Sequence, residues 1–314
     1  MTAVRAVRVH EFGGPDVLVL DEVPQPVPVE GEVLVRIQAA GVNPFETYAR
    51  AGSYSNLPAL PYTPGCDGAG VRVDTGERVY VTDSLSGTYA EYALCPAEAV
   101  RPLPDDLSYA QGAAVGVPYF TAYRALLQRA AAKDGERVLV HGASGGVGIA
   151  TVQLAVAAGL EVTGTAGSEA GRELVAAQGV AQVLDHGDPA HVDAALALTG
   201  GAGFDVIIEF LANVNLGSDL KLLAKRGRVV VVGSRGTVEV DARDLMNAEG
   251  AVLGMLTPNA RRDEVAAALG AVDAGLRSGV LKPVVGREVP LAEAARAHRL
   301  IMERPALGKM VLVP

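Results

Sequence analysis

The chain has 314 residues, 49% of them apolar and 20% charged, with a net charge of −9. That length exceeds what one hydrophobic core usually serves, so two domains are expected. The acidic balance argues against a nucleic-acid surface as the main business, no apolar run is long enough to span a bilayer, and two cysteines, Cys66 and Cys95, cannot build a disulfide framework. With no charged-then-apolar leader at the start, the expected setting is a reducing cytoplasm.

Residues 1–100 read as β-rich. Arg5–Val9 alternates, Val17–Leu20 is apolar, Val33–Ile37 is a further strand, and the Pro24–Pro28 run is an extended connector. Val71–Val73 and Arg78–Val81 flank Asp74-Thr75-Gly76-Glu77, a hairpin signal, and Tyr89–Leu94 reads as another strand. Tyr109–Ala132 predicts helix in two pieces broken at Pro118. Strands and helices then alternate: strands at Val138–His141, Glu161–Thr165, Gln182–Leu184, Phe204–Glu209, Arg228–Val232 and Ala251–Leu256, with helices over 146–158, 168–178, 190–198 and 216–224. Repeated βα steps with short loops predict a parallel sheet covered on both faces. The tail breaks that rhythm, with a helix over Arg261–Arg277, a strand over Val284–Val289, a helix over Leu291–Ile301 and a strand over Lys309–Val313. It is expected to return to the first domain.

The most informative stretch is His141-Gly142-Ala143-Ser144-Gly145-Gly146-Val147-Gly148, between the strand Val138–His141 and the helix that follows. Small residues let the backbone turn tightly toward a pyrophosphate, and the helix N-terminus presents free N–H groups. The pattern is Ala143-x-Gly145-x-x-Gly148, with alanine at the first glycine of the commoner form. A glycine-rich loop alone is weak; strand, turn and helix together point to a dinucleotide.

That stretch, with Gly41-Val42-Asn43-Pro44, Pro118–Leu126 and Gly308–Leu312, resembles the medium-chain dehydrogenase/reductases. Leu211–Leu216 and Val232–Thr237 resemble their zinc-free zeta-crystallin-type quinone oxidoreductases, and the likeness covers essentially the whole chain. The resemblance implies an α/β fold: a GroES-like β-rich catalytic domain (1–113 and 258–314) and a Rossmann domain with a doubly wound parallel sheet (114–257), the active site lying in a cleft between them. The hairpin from Val71 to Val81 is shorter than the family's usual connection and is expected to be a trimmed surface turn.

The strand Glu161–Thr165 ends in Thr165-Ala166-Gly167-Ser168, without the carboxylate that would bind both ribose hydroxyls and repel a 2′-phosphate. Glu161 sits at its wrong end, Glu169 lies in the next helix, and Arg172 follows one turn on, so NADPH is expected over NADH. A merely solvated role is an equal alternative for Arg172. The resemblance places His186 against the adenosine, Ser144, Gly145, Gly146 and Val147 at the pyrophosphate, and further cofactor contacts at Gly167, Asn215, Val232, Gly233, Ser234, Arg235, Met255, Leu256 and Thr257. Asn213 and Asn215 serve equally as helix caps.

Where zinc-dependent relatives place their catalytic ligands, this chain has Asn43, Cys66 and Val117, and it lacks the four cysteines of the structural zinc lobe. One thiol among three such positions does not hold Zn²⁺ tightly, so no metal is expected, and Cys66 reads as a small buried residue. Without a metal the substrate must already be electrophilic. Quinones meet that condition, conjugated enones come next, and the family is known for delivering electrons to quinones singly. Asn43, Tyr48 and Tyr54 are the expected substrate donors, although tyrosines here also suit plain packing. Thr121 is expected to face the nicotinamide, or else to bond its own helical turn.

A non-catalytic reading is AU-rich RNA binding, a property of zeta-crystallin relatives; the acidic charge and the lack of an arginine-aromatic strip disfavour it. The apolar strand Ala251–Leu256 stands at an expected sheet edge, and the family pairs there, which implies a homodimer or homotetramer.

Overall fold

The computed structural model describes residues 2–303 and 307–314. Contacts divide it into two units, 1–117 with 283–314, and 118–282.

The first unit opens with β1 (Ala3–Val9) antiparallel to β2 (Leu18–Pro24). Next come β3 (Glu32–Gly41), α1 (Pro44–Arg50), β4 (Gly68–Arg72), β5 (Arg78–Val81), β6 (Tyr92–Pro96), β7 (Val100–Pro102) and the single turn α2 (Tyr109–Gly112). The β4–β5 hairpin closes over the exposed residues 73–77 with Gly76 at φ +75°, the short surface turn expected. The inward-facing apolar residues of this unit, including Val35, Ile37, Val79, Val81 and Tyr89, form one buried cluster.

The chain then runs through α3 (Gly116–Tyr123), which winds into a π-helical turn over Arg124–Arg129. The helical break expected at Pro118 lies instead before Gly116. Pro118 sits in the first turn of α3, where a missing N–H breaks no helical bond. The second unit continues with β8 (Arg137–Val140), α4 (Gly146–Ala157), β9 (Glu161–Ala166), α5 (Glu169–Ala176), β10 (Gln182–Asp185), α6 (His191–Leu198), β11 (Phe204–Glu209), α7 (Ala212–Leu222), β12 (Leu223–Val231), α8 (Ala242–Ala248), β13 (Ala251–Gly254) and α9 (Arg262–Arg277). All six strands are parallel, in the order β10-β9-β8-β11-β12-β13, the doubly wound arrangement whose carboxyl edge takes nucleotides. Val138, Leu139, Val140, Ile207 and Ile208 are fully buried, as strands covered on both faces require.

The last segment, β14 (Val285–Pro290), α10 (Ala294–Glu303) and β15 (Lys309–Val313), rejoins the first unit, where β15 lies between β14 and β3. The return expected of the tail occurs, but the boundary moves from 257/258 to 282/283. Glu264 on α9 is ion-paired with Arg124 at 2.7 Å, and the side chain of Gln153 on α4 bonds the backbone of Lys282 in both directions. These partly buried polar pairs keep α9 with the parallel sheet.

Candidate active site and cofactor site

In the first unit a buried polar cluster gathers behind the segment 43–54. Asn43 caps α1 in a capping box: its backbone N–H donates to Glu46 Oε2 at 2.9 Å. Its side-chain Nδ2 donates to Glu46 Oε1 at 3.1 Å and to Asp67 Oδ1 at 2.8 Å, while its Oδ1 accepts from the ammonium of Lys309. Asp67 Oδ2 takes the Lys309 Nζ at 3.1 Å and the backbone N–H of Val117 at 3.0 Å. Both Nδ2 hydrogens of Asn43 are therefore engaged inside the protein, which leaves no free amide N–H for the substrate donor expected at this position. Tyr89 donates its phenol to Glu46 Oε2 at 2.7 Å and stands 3.2 Å from His298 Nε2. With that proton given to Glu46, the histidine must donate from Nε2, which leaves Nδ1 a buried acceptor with no partner among the described residues. Burial, then the charge of Asp67, pushes the Glu46 carboxyl up to about 7. Burial, then Arg50, pulls the His298 imidazole down to about 3.

None of Glu46, Asp67, Tyr89, His298 or Lys309 was singled out from sequence. Asn43-x-x-Glu46 is a readable capping signature; the rest come from segments far apart in the chain, Asp67 and Tyr89 from loops, His298 from α10 and Lys309 from β15, and carry no local signal.

Tyr48 and Tyr54 are both half-buried, and the Tyr54 ring lies 5.9 Å from that of Phe45. Burial, then the neighbouring Cys66, raises the Tyr54 phenol. Cys66 is itself half-buried, not fully enclosed as expected, with its Sγ 3.9 Å from Glu46 Oε1. Burial and the charges of Asp67 and Glu46 drive its thiol well above the usual range. The ligand count made from Asn43, Cys66 and Val117 is also corrected. Glu46 and Asp67 bring carboxylate oxygens to Cys66, and ligand atoms of all three lie within 4.8 Å of one another. Both carboxylates are already filled by Asn43, Tyr89, Val117 and Lys309, so the donor set fits a metal poorly as it stands.

In the second unit the glycine turn has the shape a pyrophosphate needs. Gly142 adopts φ +53°, Ser144 is buried, and α4 follows Gly145, an N-cap with no side chain to bond the helix, which leaves its first-turn N–H groups clear. A Cβ on Gly148 would lie 2.4 Å from the Gly142 carbonyl. At the carboxyl ends of β12 and β13 a cavity of about 470 Å³ is lined by Val232, Gly233, Ser234, Met255 and Leu256, among others. Thr257 follows in a 3₁₀ turn. These residues fit a dinucleotide. Asn213 and Asn215 both fall inside the first turn of α7, whose cap is Leu211, so neither is a cap. The Asn213 amide oxygen accepts from the backbone of Arg235 at 2.8 Å and holds that loop; Asn215 donates to Glu209 at 3.3 Å. Thr121 is buried in α3.

At the expected adenosine end, β9 ends without a carboxylate, but Asp185 on β10 is the register partner of Ala166. Arg172 is not a free solvated residue: it pairs with Asp185 at 2.7 Å. The His186 ring packs where a Cβ of Gly167 would stand, 2.5 Å from its Nε2. Behind the glycine turn, His141 donates to Asp219 at 2.8 Å and lies 3.6 Å from Glu209, a buried cluster that sequence reading missed. Burial opposes the imidazolium, yet Asp219 and Glu209 together raise the His141 pKa; burial raises Glu209. Glu209 also accepts from the backbone of Leu211, which fixes the start of the Asn213–Asn215 turn.

Residues 29–105 match the family described as alcohol dehydrogenase GroES-like domain, and residues 146–274 the family described as zinc-binding dehydrogenase. The latter match contains none of Glu46, Cys66 or Asp67. The chain is 48% identical over 321 residues to the quinone oxidoreductase of Homo sapiens, across 99% of this chain and 98% of that one. It is similar to a solved NAD-dependent alcohol dehydrogenase, with a TM-score of 0.91 at 29% identity covering 99% of each chain. It is likewise similar to a mycobacterial protein solved in complex with NADPH, with a TM-score of 0.89 at 31% identity, covering 99% of this chain and 100% of that one.

Proposed function

We propose that this chain, which belongs to the quinone oxidoreductase family of the medium-chain dehydrogenase/reductases, reduces quinones with NADPH and without a metal. The observation that carries the reading is the uncapped α4 behind a glycine turn, with a cavity at the ends of β12 and β13, in a chain so similar to a named quinone oxidoreductase. Bound NADPH supplies the hydride equivalent. The turn Ser144–Val147 holds the pyrophosphate on backbone N–H groups, and Asn213 keeps Arg235 and Ser234 in place beside the cavity. Tyr48 and Tyr54 present phenol donors and flat faces to the quinone, and Asn43, Glu46 and Asp67 hold the segment that carries them. A quinone needs little activation, which suits donors of this modest strength.

With 9,10-phenanthrenequinone as acceptor, NADPH oxidation is expected to exceed that with simple enones, and the Tyr48→Phe/Tyr54→Phe double variant to lose roughly 10- to 100-fold of it with NADPH binding intact. Faster turnover of enones would make the chain an enone reductase. An unchanged double variant would remove the tyrosines from the mechanism.

The Arg172–Asp185 pair tunes the cofactor preference in this reading. Asp185→Asn removes a negative charge and frees the guanidinium, so NADPH should bind roughly two- to fivefold tighter while NADH is unmoved. Equal tightening of both cofactors, measured by fluorescence titration, would count against a 2′-phosphate contact.

The edge strand β13 is exposed, with Val252 at 39% and nearby Met246 at 73% exposure, and a second copy adding there gives a homodimer from which a tetramer can be built. A monomer in sedimentation equilibrium would exclude it. The free thiols Cys66 and Cys95 suit a cytoplasmic setting.

A further inference from the structure

We infer that Lys309 is this chain's fixed substitute for a metal cation, its ammonium closing a donor set of Glu46, Cys66 and Asp67 that would otherwise take a divalent transition metal. The inference rests on the metal-free reading above and gives its physical cause.

Three potential ligands, a thiol and two carboxylates, converge within 4.8 Å, a number and spacing that suit a site with three protein ligands and one open position. Asp67 is fully buried and Glu46 nearly so, and buried carboxylates need a compensating charge or donors on every oxygen. Lys309 supplies the charge. Its side chain is 5% exposed, its Nζ lies 3.1 Å from Asp67 Oδ2, and it also donates to Asn43 Oδ1. That second bond orients the Asn43 amide, so Nδ2 faces both Asp67 Oδ1 and Glu46 Oε1. One ammonium thus organises the set through one amide, and Asp67 ties the start of α1 at Asn43 to the start of α3 at Val117.

Lys309 cannot readily step aside. It begins β15, whose neighbours on either side are β14 and β3, and its own N–H donates to Val284 at 2.8 Å. A divalent ion entering beside this amine would meet a fixed like charge, and the Asn43 Nδ2 hydrogens would block the carboxylate oxygens that should bind it. The zinc-binding family match lies in the other unit and does not bear on this cluster.

The test uses Co²⁺ added to the metal-stripped full chain: wild type, Lys309→Met and Lys309→Gln. Wild type should show no thiolate-to-cobalt charge-transfer absorption and no shift in melting temperature with Co²⁺. Each variant should gain one equivalent of Co²⁺ with that absorption, bound on the order of a hundredfold or more tighter than by wild type, and lose the absorption when Cys66→Ser is added. Its melting temperature should rise with Co²⁺, because an ion held only by the folded chain stabilises it. Lys309→Gln keeps a neutral donor for Asp67 where Lys309→Met does not. A variant that folds only with Co²⁺ supports the inference; one that fails to fold with and without it counts against. Charge-transfer absorption in wild type would overturn both the inference and the metal-free reading. A folded Lys309→Gln chain that takes no Co²⁺ would overturn the inference alone.

Discussion

Gly148→Ala is expected to weaken NADPH binding by about a hundredfold. A Cβ at this position would lie 2.4 Å from the Gly142 carbonyl oxygen and 2.7 Å from both the Ala143 carbonyl carbon and its Cα. All three are backbone atoms, so no flexible side chain can yield, and either the turn or the start of α4 must move. A displacement of about an ångström takes the N–H groups of the first turn off the pyrophosphate, and misplacement on that scale costs on the order of a hundredfold. Gly145→Ala is the control. Its Cβ would meet only the Gly142 carbonyl, at 3.5 Å, so the melting temperature of the cofactor-free chain should be unchanged. NADPH titrations of the two variants, with melting curves taken without cofactor, separate loss of the site from loss of the fold. Unaltered NADPH affinity in folded Gly148→Ala would show that the turn is not where the pyrophosphate binds.

Stability in acid is expected to be set by His298. Its folded pKa of about 3 lies below the ordinary 6.5, so as pH falls below 6.5 the unfolded chain takes up the proton first. The stability present above pH 6.5 is therefore lost on the way down to 3, by about 4–5 kcal/mol. Glu46 has the opposite sign. Its folded pKa of about 7 is above the ordinary 4.5, so its contribution is complete below 4.5 and is lost as pH rises through 7, by about 3 kcal/mol. Between 4.5 and 6.5 the slopes of His298 and Glu46 oppose each other, and Glu209, which burial also raises to about 7, tips the profile toward loss as pH rises. Below 4.5 His298 is joined by carboxylates held low by their partners, such as Glu136 beside Arg228, whose contributions are also lost as pH falls. Urea unfolding across this range should show that His298→Phe flattens the acid limb, at a cost of about 1 kcal/mol at neutral pH for the lost Tyr89 partner. An acid limb of the same steepness in His298→Phe would assign the loss to other groups. Glu46→Gln should instead flatten the fall on the alkaline side.

The parallel-sheet unit was the more readable half. Phe204–Glu209 is a strand over the same residues that its apolar run indicated, because a strand buried on both faces has few ways to be written. The glycine turn was equally plain, since close backbone approach leaves glycine at Gly148 little alternative. The short helix α1 is hard to read although Asn43 and Glu46 spell its cap, because seven residues make barely two turns and leave no 3.6-residue apolar period to see. The placement of α9 was hidden for another reason. Its pattern announces an amphipathic helix but not which sheet it joins, and the deciding contact, Arg124 to Glu264, spans 140 positions.

By itself the sequence determined the alternation of strand and helix from β8 to β12, the nucleotide turn and the absence of a carboxylate at the end of β9, all features with local physical causes. Only the tertiary structure decided the charges. It paired Arg172 with Asp185 and brought Lys309 to Asp67 across 242 positions, and it set His298 beside Tyr89 and Glu46. A buried charge is tolerable only beside its partner, and partners that meet through β-strand pairing need share no spacing in the chain.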